Sequence, residues 1–229
     1  MTTAPTTPPD SSPAGANTHP AHTLGASLVL FIRQTWAGLR VLLGFTILLG
    51  IAYPLAVTGV GQLVLPWQAN GSLVTATGAH ATAPGDADVV GSALIGQTSD
   101  GAEWFHPRPS AAGDGYDTLA SAGSNLGPHN PDLLATVTER QQAIADEEDV
   151  DPATVPPDAL TASASGLDPD ISPAYAQLQV PHIAAARDLP VGDVAALVKV
   201  NIQDRTLGVL GEPRVNVLRL NLALEALAP

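Results

Sequence analysis

The chain has 229 residues, with 22 acidic and 9 basic side chains, no cysteine and a formal net charge of −13. An acidic chain of this kind is a poor partner for nucleic acid or for an anionic membrane surface. Because cysteine is absent, a disulfide framework and a lipid-attachment cysteine are excluded, and an exported domain must be stabilised by its core.

The first forty residues divide into two parts. Residues 1–23 are rich in Thr, Pro, Ala and Ser and hold almost no large apolar side chain. They bury too little surface to offset the entropy of ordering, which predicts a disordered tail. Residues 24–40 are apolar apart from Arg33 and its neighbours, and predict a juxtamembrane helix or the first turns of a longer one.

A long uncharged run follows. No Asp, Glu, Lys or Arg occurs between Arg40 and Asp86, and residues 41–64 are mostly apolar. As a helix, these positions extend about 36 Å, enough to cross a hydrocarbon core of about 30 Å. A signal peptide fits less well, because the run is long and no small-x-small cleavage site follows it. Residues 41–64 are therefore predicted to form a single transmembrane helix.

The predicted span carries small residues and one proline, which favour close approach of another helix and a bend that neighbouring helices tolerate. The candidate packing residues are Gly44, Gly50, Pro54, Thr58 and Gly59. Ordinary glycine content in a membrane helix is the alternative explanation.

The arginines predict the orientation. Arg33 and Arg40 precede the span, and the next basic residue is Arg108. The excess of positive charge predicts a cytoplasmic N-terminus. Residues 65–229 then form one extracytoplasmic domain, whose part from Asp86 onward carries 21 acidic and 7 basic residues.

The outer domain is predicted to be α+β, because apolar residues recur with both strand and helix periods. Leu133, Leu134, Val137 and Ile144 share the inner face of one predicted helix. The predicted elements are a strand at 89–97, a helix at 132–148, a helix at 174–179 capped by Ser172, a short helix ending at Arg187, a helix carrying Val194, Leu197, Val198 and Ile202 that stops at Gly208, and an alternating strand at 216–224.

Nine short motifs in a fixed order carry a family resemblance. They are QANGSL (68–73), GSALIGQ (91–97), FHPRPSAA (105–112), YD (116–117), SNLGP (124–128), NP (130–131), TASASGLDPDISP (161–173), QVPHIAAAR (179–187) and LGVLGEPRVNVLRLNLAL (207–224). Together they resemble the C subunit of the Kdp-type potassium-transporting P-type ATPase, over residues 41–225.

The resemblance implies a noncatalytic, single-pass subunit of a high-affinity potassium uptake complex in a bacterial or archaeal plasma membrane. The implied partners are a channel-like potassium-selective subunit, a catalytic P-type ATPase subunit and a small single-span subunit, with no nucleic acid. The complex uses ATP and potassium, while this chain is expected to bind no cofactor or metal itself. No DKTGT-like phosphorylation motif or GxxxxGK[ST] loop occurs in the sequence.

Six loop residues are the candidates for partner contacts or for fixing the loops: His106, Arg108, Asn125, Asp168, Arg214 and Asn216. The two arginines lie in proline-stiffened loops, which present a guanidinium at low entropic cost. The alternative is an internal pair between an arginine and a carboxylate, for which Asp117, Asp168 and Glu212 are the candidates.

A membrane-anchored hydrolase is the alternative function. His106, Ser110 and either Asp117 or Asp168 supply the residue types of a catalytic triad, but no GxSxG motif occurs. The histidines lack the short paired spacing of a zinc site. The residues GLDPDISP are typical of a turn that leads into the Ser172 cap. No catalytic and no metal-binding residue is therefore assigned.

Overall fold

The structure is a computed structural model that describes residues 24–81, 85 and 88–227. The tail predicted for residues 1–23 lies outside the described residues. The chain divides into two compact units, residues 1–57 and 58–229, which are described separately below.

In the first unit, a helix begins at Leu24 and continues without a break. Helix α1 is Leu24–Ile47, a π-helical turn covers Leu48–Ala52, and α2 begins at Tyr53 and ends at Val64 in the second unit. The π turn directly precedes Pro54, which cannot donate to the carbonyl four residues earlier and whose ring would clash with it. Instead, the Tyr53 N–H donates to the Leu48 carbonyl, so the proline is accommodated by widening one turn.

The helical run Ser27–Val64 is long and apolar enough to cross a membrane, with a mean hydropathy of 2.1 in its most apolar part, and none of that part is buried. The residues predicted as a juxtamembrane segment and those predicted as the span thus form one continuous helix, which begins well before residue 41.

The second unit continues from the end of α2 as a mixed helical and β domain, which confirms the predicted α+β class. Its helices are α3 (Pro66–Ala69), α4 (Pro131–Glu148), α5 (Pro157–Leu160), α6 (Pro173–Leu178), α7 (Val180–Ala186), α8 (Val191–Asn201) and α9 (Val217–Glu225), with a 3₁₀ turn at Pro152–Thr154. Its strands are β1 (Leu73–Thr75), β2 (Val89–Ser92), β3 (Asp170–Ile171), β4 (Ile202–Gln203) and β5 (Arg214–Asn216).

The strands form two small antiparallel sheets. Strands β1 and β2 pair with Leu73 opposite Ser92. The other sheet has the order β3-β5-β4, with Val215 of the central strand opposite both Ile171 and Ile202. Helices α6, α8 and α9 contact the central strand β5. The fully buried core includes Phe105, Ile183, Val194, Val198, Val215, Leu220 and Leu224.

Helix α6 begins at the predicted Ser172 cap, and α4 begins one residue before its predicted start, at a cap that was not predicted. The Asn130 side chain accepts hydrogen bonds from the N–H groups of Asp132 and Leu133, and Ser172 caps α6 by accepting from Tyr175 N–H. Both caps are followed by proline at the first helical position, where no N–H is needed. On α4, Val137 and Ile144 pack against the core, whereas Leu134 was assigned wrongly, because it is exposed.

The strand predicted at residues 216–224 is wrong, because these residues form helix α9. Asn216 ends β5, and its side-chain oxygen accepts from Arg219 N–H, which begins the helix. Val217, Leu220, Asn221 and Leu224 are buried at helical spacing. Leu218 and Leu222 extend the alternating pattern but are only half-buried, so the alternation came from a second, partly exposed row of leucines on the helix.

Two further boundaries differ from the prediction. Strand β2 ends at Ser92, and the remaining residues of the predicted 89–97 strand form a turn in which Gly96 N–H donates to Leu167 O at 2.8 Å. Helix α8 ends at Asn201, before Ile202 enters strand β4, so Gly208 does not stop it. Gly208 instead has φ of 75° in a tight hairpin.

Candidate subunit-contact sites

The small residues predicted for helix packing lie on open parts of the helix. A Cβ atom added to Gly44 or Gly59 would meet nothing within 4 Å, and one added to Gly50 would meet only the Thr46 methyl group at 4.0 Å. Pro54 and Thr58 are exposed on α2. A second helix could therefore approach the backbone closely at each of these positions.

A reciprocal amide pair fixes the turn where α2 ends. Gln62 Nε2 donates to Asn70 Oδ1 at 3.1 Å, and Asn70 Nδ2 donates back to Gln62 Oε1 at 3.0 Å. Asn70 Nδ2 also donates to the carbonyl of Pro66 at 2.7 Å. These bonds hold α3 against the last turn of α2. Sequence reasoning did not identify the pair, because its members are separated by a helix end.

Trp67 joins this turn to the rest of the second unit. Its indole N–H donates to Leu73 O at 2.8 Å, and its ring stacks on His80 with centroids 3.8 Å apart. The Arg219 guanidinium lies 5.7 Å from the indole centroid, within the range of cation–π attraction. Trp67 therefore contacts both β1 and α9.

Four of the six candidate loop residues lie in one ionic cluster. Arg108 Nη1 lies 2.8 Å from Asp168 Oδ2, and its Nε and Nη2 donate to Thr161 O at 3.3 and 3.1 Å. Arg214 Nε lies 3.0 Å from Asp170 Oδ2. The internal pairing weighed as an alternative is thus present for Arg108, with the candidate Asp168. Arg214 also pairs internally, but with Asp170, which was not among the candidates.

Asn216 connects this cluster to the β-sheet and to β2. Its Nδ2 donates to Ala93 O at 2.9 Å and to Asp170 Oδ1 at 3.3 Å, while its Oδ1 caps α9. Burial raises the pKa of Asp170, and the nearby Arg214 charge and the Asn216 hydrogen bond partly offset this effect. Asn216 is therefore a structural centre of the cluster and is buried.

The position of the ionic cluster is fixed by loops whose backbones approach each other closely. A Cβ at Gly96 would lie 2.5 Å from the Asp168 carbonyl oxygen, so only glycine permits this contact. The Tyr116 hydroxyl donates to the Arg108 carbonyl at 2.5 Å, and burial raises its pKa to about 12. The proton needed for that hydrogen bond is thus retained at physiological pH.

The cluster borders a surface cleft of about 510 Å³. Charged groups of both signs face it, and the loop Gly211–Arg214 forms one wall. Its lining residues are Arg108, Pro157, Asp158, Asp168, Asp170, Ile171, Ser172, Gly211, Glu212, Pro213 and Arg214. Paired charges at a partly open cleft can exchange one intramolecular partner for a group on another protein.

The other two candidates lie outside this cluster. The backbone N–H of His106 donates to Gln179 Oε1 at 2.6 Å, and its ring Nε2 lies 3.1 Å from Gly101 O. Asn125 is exposed with φ of 55°, a conformation that asparagine adopts more readily than most residues. His106 therefore fixes a loop through its backbone, and Asn125 supports a turn.

The residues of the alternative triad are each engaged in loop contacts. Ser110 Oγ donates to Gly166 O at 2.6 Å and accepts from Tyr116 N–H at 2.8 Å. Asp117 Oδ1 accepts from Leu119 N–H at 2.8 Å. None of the hydrogen bonds among the described residues joins Ser110 to His106, so the arrangement is that of a stabilised turn.

Sequence reasoning also missed a buried pair, His182 and Glu148. His182 Nδ1 lies 2.8 Å from Glu148 Oε2, and the His182 ring meets the His106 ring edge at a centroid distance of 6.2 Å. Burial raises the pKa of the Glu148 carboxyl, and the His182 hydrogen bond opposes that rise. The sequence showed Glu148 within an acidic run, where a solvated helix end is the usual expectation.

Comparison with known proteins identifies relatives along most of the chain. The family model described as "K+-transporting ATPase, c chain" matches residues 35–226. A Potassium-transporting ATPase KdpC subunit from Beijerinckia indica is 56% identical over 185 residues, covering 81% of this chain and 89% of the relative. The subunit of the same name from Kineococcus radiotolerans is 52% identical over 206 residues, covering 90% of this chain and 100% of the relative.

A third relative, the Potassium-transporting ATPase KdpC subunit from Mycobacterium tuberculosis, is 53% identical over 196 residues, covering 85% of this chain and 99% of the relative. The match covers the helix from residue 35 onward, the turn where α2 ends and the ionic cluster. The resemblance noted from the loop motifs is confirmed, and the chain belongs to the family of c chains of K+-transporting ATPases.

Proposed function

We propose that this chain is a noncatalytic, single-span subunit that assembles and stabilises a high-affinity, ATP-driven potassium uptake complex. The observation that carries the proposal is the apolar helix Ser27–Val64, whose most apolar part is not buried at all within the chain. Lipid and the helices of other subunits would cover this surface. The same chain also carries a folded outer domain. A subunit of this kind can contact partners within the membrane through its helix and outside the membrane through its domain.

The proposed partners are a channel-like potassium-selective subunit, a catalytic P-type ATPase subunit and a small single-span subunit. Gly44, Gly50, Pro54, Thr58 and Gly59 would contact partner helices, since nothing beyond the Thr46 methyl group approaches their glycines. The ionic cleft beside Arg108 and Arg214 would contact a partner outside the membrane. ATP and potassium would be handled by the other subunits.

The proposed topology places the N-terminus in the cytoplasm and residues 65–229 outside the plasma membrane. Arg33 and Arg40 lie on α1, ahead of the uncharged part of the helix. The Arg40 guanidinium lies 5.4 Å from the Trp36 ring centroid, and this combination of aromatic and cationic side chains favours the boundary between lipid and cytoplasm. Residues 41–64 would then cross the hydrocarbon core.

The noncatalytic role is supported by the hydrogen bonds and ion pairs that the residues of the alternative triad make. Ser110, Asp117 and Asp168 each hold a loop or an ion pair, and none of them stands free beside a base. A nucleophile needs a general base within hydrogen-bonding reach. Chemistry in the complex would therefore belong to the catalytic ATPase subunit.

Co-purification in mild detergent tests the proposal. The tagged full chain should recover a P-type ATPase and a multi-span membrane protein, identified by mass spectrometry, in a constant ratio to the tagged chain. The control is the same preparation from cells with an untagged chain. Recovery of the tagged chain alone, in more than one mild detergent, would overturn the assembly role.

Thiol labelling tests the topology, because the chain contains no cysteine. Leu119→Cys places a thiol at a position that is 97% exposed on the outer domain. A membrane-impermeant maleimide should label it in spheroplasts, whereas Thr18→Cys in the N-terminal segment should be labelled only after the membrane is opened. The reverse pattern would contradict the proposed orientation.

A further inference from the structure

We propose that the hairpin 205–212 of the outer domain inserts its apolar tip into an apolar pocket on another protein subunit of the complex. The apolar tip is defined by the side chains of Leu207, Val209 and Leu210. This inference rests on the proposed assembly function and names a contact surface at the start of the 207–224 motif, where no contact was predicted from the sequence. The expected partner surface is concave, apolar at its centre and polar at its rim.

The apolar tip is unusually exposed. Leu207, Val209 and Leu210 are 87%, 73% and 58% exposed, respectively. Within the described residues from Leu73 to Leu227, no other stretch of four residues carries three large exposed apolar side chains. Single exposed apolar residues are ordinary on protein surfaces, but a contiguous group marks a contact site.

The hairpin is ordered by its own hydrogen bonds. Thr206 N–H donates to Leu210 O at 2.9 Å, and Leu210 N–H donates back to Thr206 O at 3.0 Å. Arg205 forms an ion pair with Glu212 across the base of the hairpin. The tip is therefore held in one conformation before binding, which lowers the entropic cost of association.

The backbone of the tip also suggests a role in recognition. Leu207 has φ of 55°, in the left-handed region that a bulky residue seldom occupies. Adjacent Gly208 adopts φ of 75° at no such cost. Because the Leu207 side chain is exposed, no packing in the core offsets the cost of its backbone conformation. Strain retained without a packing benefit is typical of functional loops.

The apolar tip adjoins the ionic cleft. The chain leaving the hairpin at Gly211 runs directly into Glu212, Pro213 and Arg214, which form one wall of that cleft. An apolar patch bordered by charged groups is the usual composition of a protein interface, with buried apolar anchors at the centre and a polar rim. The tip therefore directly precedes, along the chain, the residues that form this wall of the cleft.

The charge of the domain favours a different protein as the binding partner of the apolar tip, rather than a lipid surface or a second copy of this chain. From Asp86 onward the chain carries 21 acidic and 7 basic residues, so an anionic lipid surface would repel it. The single cation within the hairpin, Arg205, is paired with Glu212. Two copies of this acidic domain would also repel each other. An apolar pocket on a different subunit avoids both penalties.

Site-specific photo-crosslinking in the intact complex tests the proposal. A benzophenone amino acid would replace Leu207 or Val209 in the tagged full chain, with Leu119, which is 97% exposed on another loop, as the matched control. The expected result is an adduct from both hairpin positions to the same co-purifying subunit, identified by mass spectrometry, and none from position 119.

The contrary results are distinct. Adducts to lipid, adducts to a second copy, or no adduct at either hairpin position in an intact complex would overturn the hairpin contact while leaving the assembly role in place. An equal yield from position 119 would also overturn it, because the contact would then be nonspecific. Loss of all co-purifying subunits from the unmodified chain would instead overturn the proposed function.

A charge substitution gives a second readout. Leu207→Asp should reduce recovery of the crosslinked subunit about tenfold in a detergent series that the unmodified complex survives, because a buried contact of this kind dominates binding. Leu119→Asp should leave recovery unchanged. Both side chains are exposed, so neither variant should lower the unfolding midpoint, and Leu207→Asp should raise it slightly because aspartate adopts a positive φ more readily than leucine. Equal recovery from the two variants would overturn the proposal.

Discussion

The long helix and the domain that follows it, called the outer domain after its proposed location, use apolar side chains in opposite ways. On the helical run Ser27–Val64 the large apolar side chains are exposed, whereas Leu220, Leu224 and Ile183 in the outer domain have no exposed surface. The outer domain satisfies its own hydrophobic requirement. The helix does not, because its apolar surface is left uncovered within the chain. Stability and assembly should therefore respond to substitutions in different parts of one chain.

The largest expected effect comes from the core of the outer domain. Leu220→Ala removes a fully buried side chain from α9 and leaves a cavity, so the free energy of unfolding should fall by about 2–5 kcal/mol. Urea unfolding of the full chain in detergent, followed by limited proteolysis of the outer domain, measures the change. The helix and its partners should be unaffected wherever the domain remains folded.

Leu222→Ala is the matched control for this substitution. Leu222 is only half-buried on α9, so its truncation should cost markedly less than that of Leu220. A strand with one apolar face would place Leu220 and Leu222 in equivalent positions. Equal losses from the two variants would therefore contradict the helical assignment of residues 217–225.

The second-largest effect is expected from a substitution on the long helix, and it should appear in subunit assembly. Gly59→Leu adds a bulky side chain at a position where a Cβ meets nothing within 4 Å in the isolated chain. If a partner helix packs there, recovery of partner subunits in mild detergent should fall about tenfold, because small residues permit close helix contact. The unfolding free energy of the outer domain should not change.

Val57→Leu is the control for the helix substitution. Two residues along a helix correspond to a rotation of about 200°, so Val57 lies on the opposite face from Gly59. It is already a large apolar residue, and it is exposed. Retention of all partners by the Gly59 variant, or equal losses from both variants, would remove the argument for a specific packing face at Gly59.

Much of the fold could be predicted because local signals agreed with tertiary structure. The Ser172 cap with its following proline and the apolar period of α4 depend on neighbouring residues only. The failure at residues 216–224 has a physical cause. Leucine at alternate positions satisfies the strand pattern, while the same residues also supply Leu220 and Leu224 at helical spacing. The Asn216 cap was the local signal that could have decided between them.

The candidate site was only partly predictable. Proline-stiffened loops drew attention to Arg108 and Arg214, and the structure brings both to one cleft. The Glu148–His182 pair and the Trp67–His80 stack join residues far apart in sequence, and no local pattern signals such contacts. The exposed hairpin was missed for another reason, since the sequence of Leu207, Val209 and Leu210 reads equally well as part of a buried strand.

A smaller effect is expected from the ion pair between Arg108 and Asp168. It tests whether this pair stabilises only the domain or also contributes to binding a partner. Asp168→Asn keeps the shape of the side chain but removes the charge opposite Arg108, whose side chain is 21% exposed. Because this pair is partly solvated, the unfolding free energy should fall by only about 1 kcal/mol. Urea unfolding measures this loss, and recovery of partners measures the second role.

The control for that substitution is Asp188→Asn, at an exposed turn of the same domain. If the cleft contacts a partner, Asp168→Asn should lower partner recovery more than its small stability loss explains, while Asp188→Asn should leave it unchanged. Full recovery with the Asp168 variant would assign the Arg108–Asp168 pair to the domain alone.

The smallest effect concerns pH and the buried carboxyl of Glu148. Burial raises its pKa above the ordinary value of 4.5, so the folded chain binds this proton more readily than the unfolded chain does. Below pH 4.5 both states are protonated and the group costs nothing. As the pH rises from 4.5 through the raised pKa, the folded state loses stability relative to the unfolded state.

Glu148→Gln removes this titration while keeping an oxygen that can accept from His182. The unfolding free energy of the variant relative to the unmodified chain should therefore increase as the pH rises above 4.5, and level off once Glu148 is ionised in both states. Urea unfolding at a series of pH values measures the difference, with Glu139→Gln at an exposed position of the same helix as control. If the difference falls with rising pH, the His182 hydrogen bond outweighs burial and the carboxylate stabilises the fold.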